Sequence, residues 1–316
     1  MNLKNKNNII DELIQLLLSE GFETSNIYEK SCFDIFARRE LLLLLFKVLV
    51  NIDSVNETHV HEIKKISSVF SASPLIVGLK SRNNPLLEDV VYERYGIPAI
   101  GVKTLKNMII YEEYPKLLAD RGGYYVQING DVLKEYREEY SLSLKNLADL
   151  ANVSRETIYK YENNLVRANP ETVMILEEIL NMKITLNIDL FEFKDLKEDV
   201  EVNNSPTNDE TKNLVNLGFD VIPTKKTPFN VLSKLKNHEY PFMTSLEENK
   251  VPRPLHKIAL SLKDLSLITG SESFFIINNE KFKDSLNGIP VVSSWELKEI
   301  ENSSEFLKIV KERRDT

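Results

Sequence analysis

The sequence has a single cysteine, Cys32, in 316 residues. One thiol excludes an internal disulfide and a metal site built from paired cysteines. Long apolar runs are also missing: the longest, Leu41–Phe46, ends at Lys47, whereas a membrane-spanning helix needs about twenty apolar residues. The first residues pass directly into a polar helical pattern, so we expect no signal peptide. These absences predict a soluble, cytoplasmic protein without a membrane partner.

An excess of positive charge is missing as well. The formal net charge is −8, which argues against a protein that coats nucleic acid with its whole surface. An acidic protein can still carry a small DNA-binding domain, because local charge governs local binding. The length suits two or three domains of ~100–200 residues each.

Four short segments recur in the same order in residues 10–110 and 211–301. Any one match is weak, but four in a constant order indicate an internal duplication. The pairs are LLSEGF at 17–22 with LVNLGF at 214–219, CFDI at 32–35 with PFNV at 228–231, SPLIV at 73–77 with SFFII at 273–277, and GIPAI at 96–100 with GIPVV at 288–292.

Each copy predicts an α/β fold, because apolar strands alternate with amphipathic helices. The opening helices are expected at Ile9–Ser19 and Glu210–Asn216, and a further helix at His59–Phe70. Strands in the first copy are expected at Phe33–Ala37, Leu41–Val50, Leu75–Val77 and Ala99–Val102.

The segment between the copies has a helical period instead. It is followed by a polar, charged stretch of linker composition. We therefore predict an α/β domain at 1–120, an all-α domain at 121–193, a linker at 194–212 and a second α/β domain at 213–316.

Residues 131–180 predict four short helices, with Ser143 and Ser154 as caps of the second and third. Asn152 and Val153 form the intervening turn. The sequence of residues 142–163 reads L-S-x-x-x-L-A-x-x-A-x-V-S-x-x-T-I-x-x-x-E-N. This pattern resembles helix-turn-helix domains of the Cro/C1, or XRE, type.

The resemblance implies that residues 154–162 form a recognition helix, which enters the major groove of double-stranded DNA. Arginine and lysine can contact guanine edges or phosphates, and hydroxyl groups can contact either. The candidate DNA-binding residues are Ser143, Lys145, Ser154, Arg155, Thr157, Tyr159, Lys160 and Arg167.

The sequence departs from the family pattern at two positions. Leu144 stands where the family usually has a phosphate-clamping glutamine, and Asn164 stands where glycine is usual. Residues 131–183 contain seven Lys/Arg and ten Asp/Glu, a local net charge of −3. A single domain of this kind should bind DNA weakly, so we expect a homodimer that reads an approximate palindrome.

The first α/β copy resembles the core of restriction endonucleases and Holliday-junction resolvases. Asp34 and Lys47 stand at two of the family's catalytic positions, but the acidic residue expected two places before the lysine is Leu45. A nuclease of this type needs two carboxylates for its divalent ion. Glu12 on the opening helix is a candidate replacement ligand.

The second copy departs further from that pattern. Asn230 replaces the aspartate, and Met243 falls near the lysine position. Two degraded copies indicate that the fold serves as a scaffold, so we expect no catalytic residue, metal or cofactor.

The fold class is α/β plus all-α, with two duplicated endonuclease-like domains flanking a Cro/C1-type bundle. This arrangement resembles a group of archaeal transcriptional regulators. It predicts a sequence-specific regulator whose α/β domains dimerise or sense an unknown effector. One alternative is a metal-dependent, structure-specific nuclease that uses Asp34 and Lys47 and is targeted by the helix-turn-helix. The other is an adaptor whose helical bundle contacts proteins.

Overall fold

The structure, a computed structural model, describes residues 2–192, 208–236, 238, 240–246, 255–278 and 284–314. Within these ranges the chain forms two β-sheets, with a group of four short helices between them in sequence. None of the helices in this part of the chain is long and apolar enough to span a membrane.

The first α/β domain is built on a mixed sheet whose strands run β1-β2-β3-β4-β7-β6-β8-β9, with β5 paired to the end of β4. The predicted helices and strands of the first copy are confirmed, with small shifts at their ends. The elements are α1 Asn2–Ser19, β1 Glu23–Thr24, β2 Ile35–Arg39, β3 Leu42–Asn51, α2 Glu57–Phe70, β4 Ser73–Ser81, β5 Asn84–Pro85, β6 Val90–Arg94, β7 Ile97–Gly101, α3 Val102–Ile110, β8 Leu117–Asp120 and β9 Gly123–Val126.

Strand β3 is almost continuously apolar because both faces of the sheet are covered. Leu43 and Leu45 point to the side that carries α2. Leu44 and Phe46 point to the opposite side, where they pack with residues of α1 and α3. The run of leucines therefore marks a strand in the middle of a three-layer domain.

The helical segment has a core of its own. Its elements are α4 Gly130–Glu139, α5 Leu144–Leu150, α6 Arg155–Glu162 and α7 Pro170–Leu180. The buried residues include Leu133, Leu147, Ile158 and Leu176. All four predicted helices are confirmed.

The second α/β domain has a six-stranded sheet in the order β10-β11-β12-β13-β15-β14. Its elements are α8 Asp209–Asn216, β10 Phe219–Pro223, β11 Val231–Leu235, β12 Phe242–Leu246, α9 Leu255–Thr269, β13 Glu272–Ile277, β14 Ser285–Leu286, β15 Ile289–Ser293, α10 Glu296–Glu299 and α11 Ser303–Arg314.

The two sheets repeat one topology, which confirms the duplication. In each, the five successive pairings from the first strand are antiparallel, antiparallel, parallel, parallel and antiparallel. The registers correspond as well: Ile35 lies opposite Phe46, and Val231 lies opposite Thr244. This register corrects one sequence-based alignment, because it makes Ser245, and not Met243, the counterpart of Lys47.

The two α/β domains bury a common layer between their sheets. Ile63 and Ile66 of α2 belong to the same hydrophobic cluster as Leu262 and Leu265 of α9. Helices α1 and α3 cover the far side of the first sheet, and α8 and α11 cover the far side of the second. The α2 and α9 layer is therefore the centre of a larger assembly of both domains.

Polar contacts cross this layer in a reciprocal way. Glu62 of α2 accepts a hydrogen bond from the backbone N–H of Lys225, at 2.9 Å. Asp264 of α9 accepts one from the backbone N–H of Asn26, also at 2.9 Å, and a second from the hydroxyl of Tyr28 at 2.6 Å. Each domain thus supplies a helix carboxylate to a loop of the other, as in an approximately two-fold pair.

The structure corrects two of the predicted domain boundaries. A boundary at residue 120 would divide a hairpin, because β8 pairs with β9 and both extend the first sheet to Val126. The predicted linker lies outside the described residues except at its end, where α8 begins at Asp209. The second domain therefore starts a few residues before the predicted position 213.

Leu262→Ala should lower the free energy of unfolding by roughly 2–5 kcal/mol, since it empties a fully buried site in the common layer. Leu260→Ala on the same helix is the matched control, because Leu260 is 56% exposed and should change stability by no more than about 0.5 kcal/mol. Urea unfolding measures both values. Equal losses in the two variants would contradict the packing described here.

Candidate nucleic-acid interface

Two serine caps define where α5 and α6 begin. The Oγ atom of Ser143 accepts the backbone N–H of Asn146 at 3.1 Å, and that of Ser154 accepts the N–H of Thr157 at 3.0 Å. A cap of this kind satisfies one of the N–H groups that a helix start leaves without a partner. Both predicted caps are confirmed.

The turn between α5 and α6 brings the two helices close together. Asn152 has a φ of +54°, a left-handed conformation that asparagine tolerates better than most residues. Val153 follows it and packs partly buried against the helical core, where it closes the corner between the helices. Ala148 is buried beneath this corner, and its small side chain permits the close approach.

Helix α6 keeps one polar face open to solvent. Tyr159 is 52% exposed, the Lys160 side chain is 43% exposed, and Arg155 is also exposed. Thr157 is partly exposed next to the cap, with its hydroxyl 2.8 Å from that of Ser154. Four of the predicted residues are therefore brought together on one accessible surface.

Lys160 is not an isolated charge on this surface. Its ammonium lies 2.7 Å from a carboxylate oxygen of Glu156, one turn earlier. The hydrogen bond from Lys160 lowers the pKa of the Glu156 carboxyl below its usual value. Since exposed ion pairs of this kind are weak, a phosphate or a base edge can replace Glu156 at little cost.

The remaining predicted residues lie at the edges of that surface. Lys145 is exposed in the first turn of α5. Arg167 lies beyond the end of α6, in the loop before α7, with its guanidinium 3.6 Å from a carboxylate oxygen of Asp120. The structure thus distributes the candidates over α5, α6 and this loop.

A buried ion pair, which the sequence did not reveal, holds α6 against α4. Arg137 Nε and Nη2 lie 2.5 and 3.1 Å from the two carboxylate oxygens of Glu162. A further N–H of the same guanidinium donates to the carbonyl of Leu142 at 2.9 Å. The hydrogen bond to Glu162 raises the pKa of Arg137 above its usual value. The pair fixes the C-terminal end of α6 on the helical core.

The departure at Asn164 has a structural explanation. Asn164 has a φ of +56°, in the left-handed region where glycine is usual. Its side-chain oxygen accepts the backbone N–H of Gly130 at 3.1 Å, a bond that glycine cannot make. Gly130 itself is required by close packing, because a Cβ there would lie 2.3 Å from the carbonyl oxygen of Glu162.

The departure at Leu144 replaces a polar contact with an apolar one. Its side chain is partly buried and packs against the helical core. The first residue of α5 therefore stabilises the domain, and a phosphate clamp of the family type is lost at this position.

The endonuclease-like position in the first domain is occupied by lysines. Asp34 is fully buried, with one carboxylate oxygen 2.7 Å from the ammonium of Lys6 and the other 3.3 Å from that of Lys47. Burial lowers the pKa of Lys47, and the charge of Asp34 opposes this shift. Glu12, the replacement ligand suggested by the sequence, is exposed; the α1 side chain that reaches Asp34 is Lys6.

The corresponding position of the second domain has kept a hydrogen bond and lost the charges. The side-chain oxygen of Asn230 accepts the backbone N–H of Leu246 at 3.1 Å. Asp34 makes the same contact with the N–H of Val48 at 2.8 Å. In the part of the chain that the structure describes, no three His, Cys, Asp or Glu side chains cluster as metal ligands.

Comparison with known proteins supports both domain types. A PD-(D/E)XK superfamily domain matches residues 6–115, and a helix-turn-helix domain matches residues 133–187. These matches confirm the predicted fold of the first α/β domain and of the helical domain.

Full-length relatives occur in archaea. The chain is 55% identical to a protein of Methanobrevibacter smithii, over 98% of this chain and 99% of that one. It is 53% identical to a protein of Methanothermobacter thermautotrophicus, over 98% and 97%. Both carry the name "Putative HTH-type transcriptional regulatory protein". A solved SinR/SinI protein complex includes a chain 24% identical over 28% of this one, with a TM-score of 0.16, too low to carry a conclusion.

Glu162→Ala should lower the free energy of unfolding by roughly 3–5 kcal/mol, because it leaves the Arg137 charge buried without its partner. Glu156→Ala is the control on the same helix, where an exposed carboxylate is removed and stability should stay close to that of the parent. Chemical denaturation gives the size of the loss, and hydrogen exchange at the α6 amides locates it. A loss of similar size in both variants would refute the role given to the buried pair.

Proposed function

This chain belongs to the archaeal family of HTH-type regulatory proteins described above, and from that premise we propose that it regulates transcription by binding double-stranded DNA. In this proposal, α6 enters the major groove and reads the base sequence there. The observation that carries the proposal is the open polar face of α6, mounted on a helical core by two caps and a buried ion pair.

The residues of α6 have distinct parts in this proposal. Arg155 and Lys160 contact guanine edges or phosphates, and Thr157 and Tyr159 supply hydroxyl groups to bases or phosphates. Lys145 and Arg167 lie outside α6 and suit contacts to the DNA backbone. The hydroxyls of Ser143 and Ser154 are engaged in the caps, so these residues act mainly by setting where the helices begin.

The low local charge favours two DNA-binding domains acting together. With seven basic and ten acidic side chains in residues 131–183, one domain makes few phosphate contacts and should bind weakly at physiological salt. A homodimer recovers affinity because the second contact becomes intramolecular. Since α2 and α9 already face each other within one chain, the dimer interface lies on another surface.

The α/β domains are proposed to dimerise the protein in the cytoplasm and to sense an effector or partner. Their endonuclease-like positions do not favour catalysis. Lys6 and Lys47 neutralise the one remaining carboxylate, Asp34, and Leu45 supplies no second ligand for a divalent ion.

Selection from a pool of random-sequence duplexes should enrich an approximate palindrome. Its half-sites should lie about one helical turn apart, or a multiple of it, because a symmetric dimer reads a two-fold site. On the enriched duplex, Arg155→Ala or Lys160→Ala should weaken binding by roughly 1–3 kcal/mol if the residue contacts a base.

Lys234→Ala is the control for that experiment, since it removes an exposed positive charge from β11 in the second α/β domain. Unchanged affinity and footprint in both α6 variants would remove the recognition-helix assignment. A protein that retains no DNA in a salt-sensitive manner would instead support the adaptor alternative.

The nuclease alternative is tested with branched and linear duplexes in Mg²⁺ or Mn²⁺. We expect no cleavage, because a single carboxylate held by two ammonium groups cannot assemble the metal centre. Asp34→Asn is the informative variant, as Asn230 shows that asparagine keeps the backbone hydrogen bond of this position. Cleavage by the parent protein that is lost in Asp34→Asn would contradict the proposal.

A further inference from the structure

The β8–β9 hairpin ends in a tight turn that carries an exposed arginine. Asp120 pairs with Gly123 across the turn, so Arg121 and Gly122 alone make the connection. Gly122 has a φ of +93°, which is the conformation that glycine favours at the second position of such a turn. Arg121 occupies the first position and is exposed. The turn therefore presents one guanidinium beyond the end of the sheet.

This hairpin is attached to the helix-turn-helix domain by the main chain. Val126 of β9 and Ala168 exchange both backbone hydrogen bonds, at 2.8 and 2.9 Å. Ala168 belongs to the loop that follows α6, and the N–H of Leu165 in this loop donates to the carbonyl of Lys160 at 2.9 Å. The position of the hairpin relative to α6 is thus set by backbone contacts.

An open cleft of about 540 Å³ lies between the turn and that loop. It is lined on one side by hairpin residues, including Arg121 and Tyr125, and on the other by residues 164–167. Arg167 approaches from the loop side, 3.6 Å from Asp120. Two guanidinium groups therefore border one solvent-filled groove, against a single carboxylate.

The placement of the groove favours a DNA backbone as its occupant. It begins where α6 ends, so DNA with its major groove on α6 would continue past this side of the protein. Arginine forms paired hydrogen bonds with phosphate oxygens, and such contacts set the register of a protein on DNA without reading its sequence. The hairpin lies between residues 6–115 and 133–187, so neither matched domain includes it.

We propose that Arg121 and Arg167 bind the phosphate backbone of DNA beside the base pairs read by α6. This site rests on the proposed function, since it takes DNA already placed by the recognition helix. It recruits the first α/β domain to the DNA through its outermost hairpin. The contact also compensates in part for the clamp that Leu144 cannot make.

The test measures affinity against salt concentration for Arg121→Ala and Arg167→Ala. The probes are a random-sequence duplex about three helical turns long and the duplex enriched by selection. Each variant should bind both probes roughly three- to tenfold more weakly, and the slope of log K against log salt should shrink by about 0.9. Since the contact reads no base, sequence preference should not change.

Two further variants serve as controls. Lys234→Ala makes the same change in net charge far from the groove, and should leave affinity and slope at the parent values. Asp120→Asn removes the competing carboxylate while keeping an oxygen for the turn, and should tighten binding roughly two- to fourfold. Thermal unfolding of every variant checks that the fold is retained.

The outcomes separate this site from the proposed function. If Arg155→Ala weakens binding while Arg121→Ala retains the parent affinity and slope, the hairpin site is wrong and the regulator remains. If Arg121→Ala changes the sequence preference, the turn reads bases and the backbone assignment is overturned. If the parent protein binds neither duplex, the proposed function fails together with the site.

Discussion

The common layer of α2 and α9 is the constraint on which the rest of the molecule depends. Each sheet needs cover on two faces, and each domain provides helices of its own for only one outer face. The inner face of each sheet is closed by a helix that also packs against the other domain. Burial of these apolar surfaces dominates the stability of such an arrangement. Neither α/β domain can therefore be understood as an independent unit.

That constraint explains how the endonuclease-like positions changed. A buried aspartate needs hydrogen bonds and opposite charge, because burying an unpaired carboxylate is costly. In the first domain, Lys6 and Lys47 supply the charge. In the second, asparagine removes the need for it and keeps the bond to the β12 main chain. Both solutions preserve the junction of two strands, and neither preserves a metal site.

Local features of this fold could be predicted from sequence, because they depend on neighbouring residues. The caps at Ser143 and Ser154, the turn at Asn152 and the apolar strands are of this kind. Order and spacing alone also revealed the duplication. The Arg137–Glu162 pair could not be found in this way, since its members are 25 residues apart and either charge alone suggests an exposed helix face.

The same limit applies to the sites at domain borders. Lys6 reaches Asp34 only because α1 crosses the sheet, and no local pattern distinguishes it from the other lysines of this helix. The hairpin β8–β9 was divided by the predicted boundary because its strands are short and its tyrosines are half exposed. Pairing with β6 and with the segment at Ala168 decides where this hairpin belongs, and such pairing is a tertiary property.

The reciprocal contacts between the two α/β domains have a consequence for how the molecule behaves on dilution. Two separate chains that met through this layer would part as their concentration fell. Here both halves are present in equal number on one polypeptide, so their meeting is intramolecular and independent of concentration. A covalently joined pair also need not stay symmetric. One half can keep the junction to the helical domain while its twin accumulates changes that a pair of identical subunits would have to share.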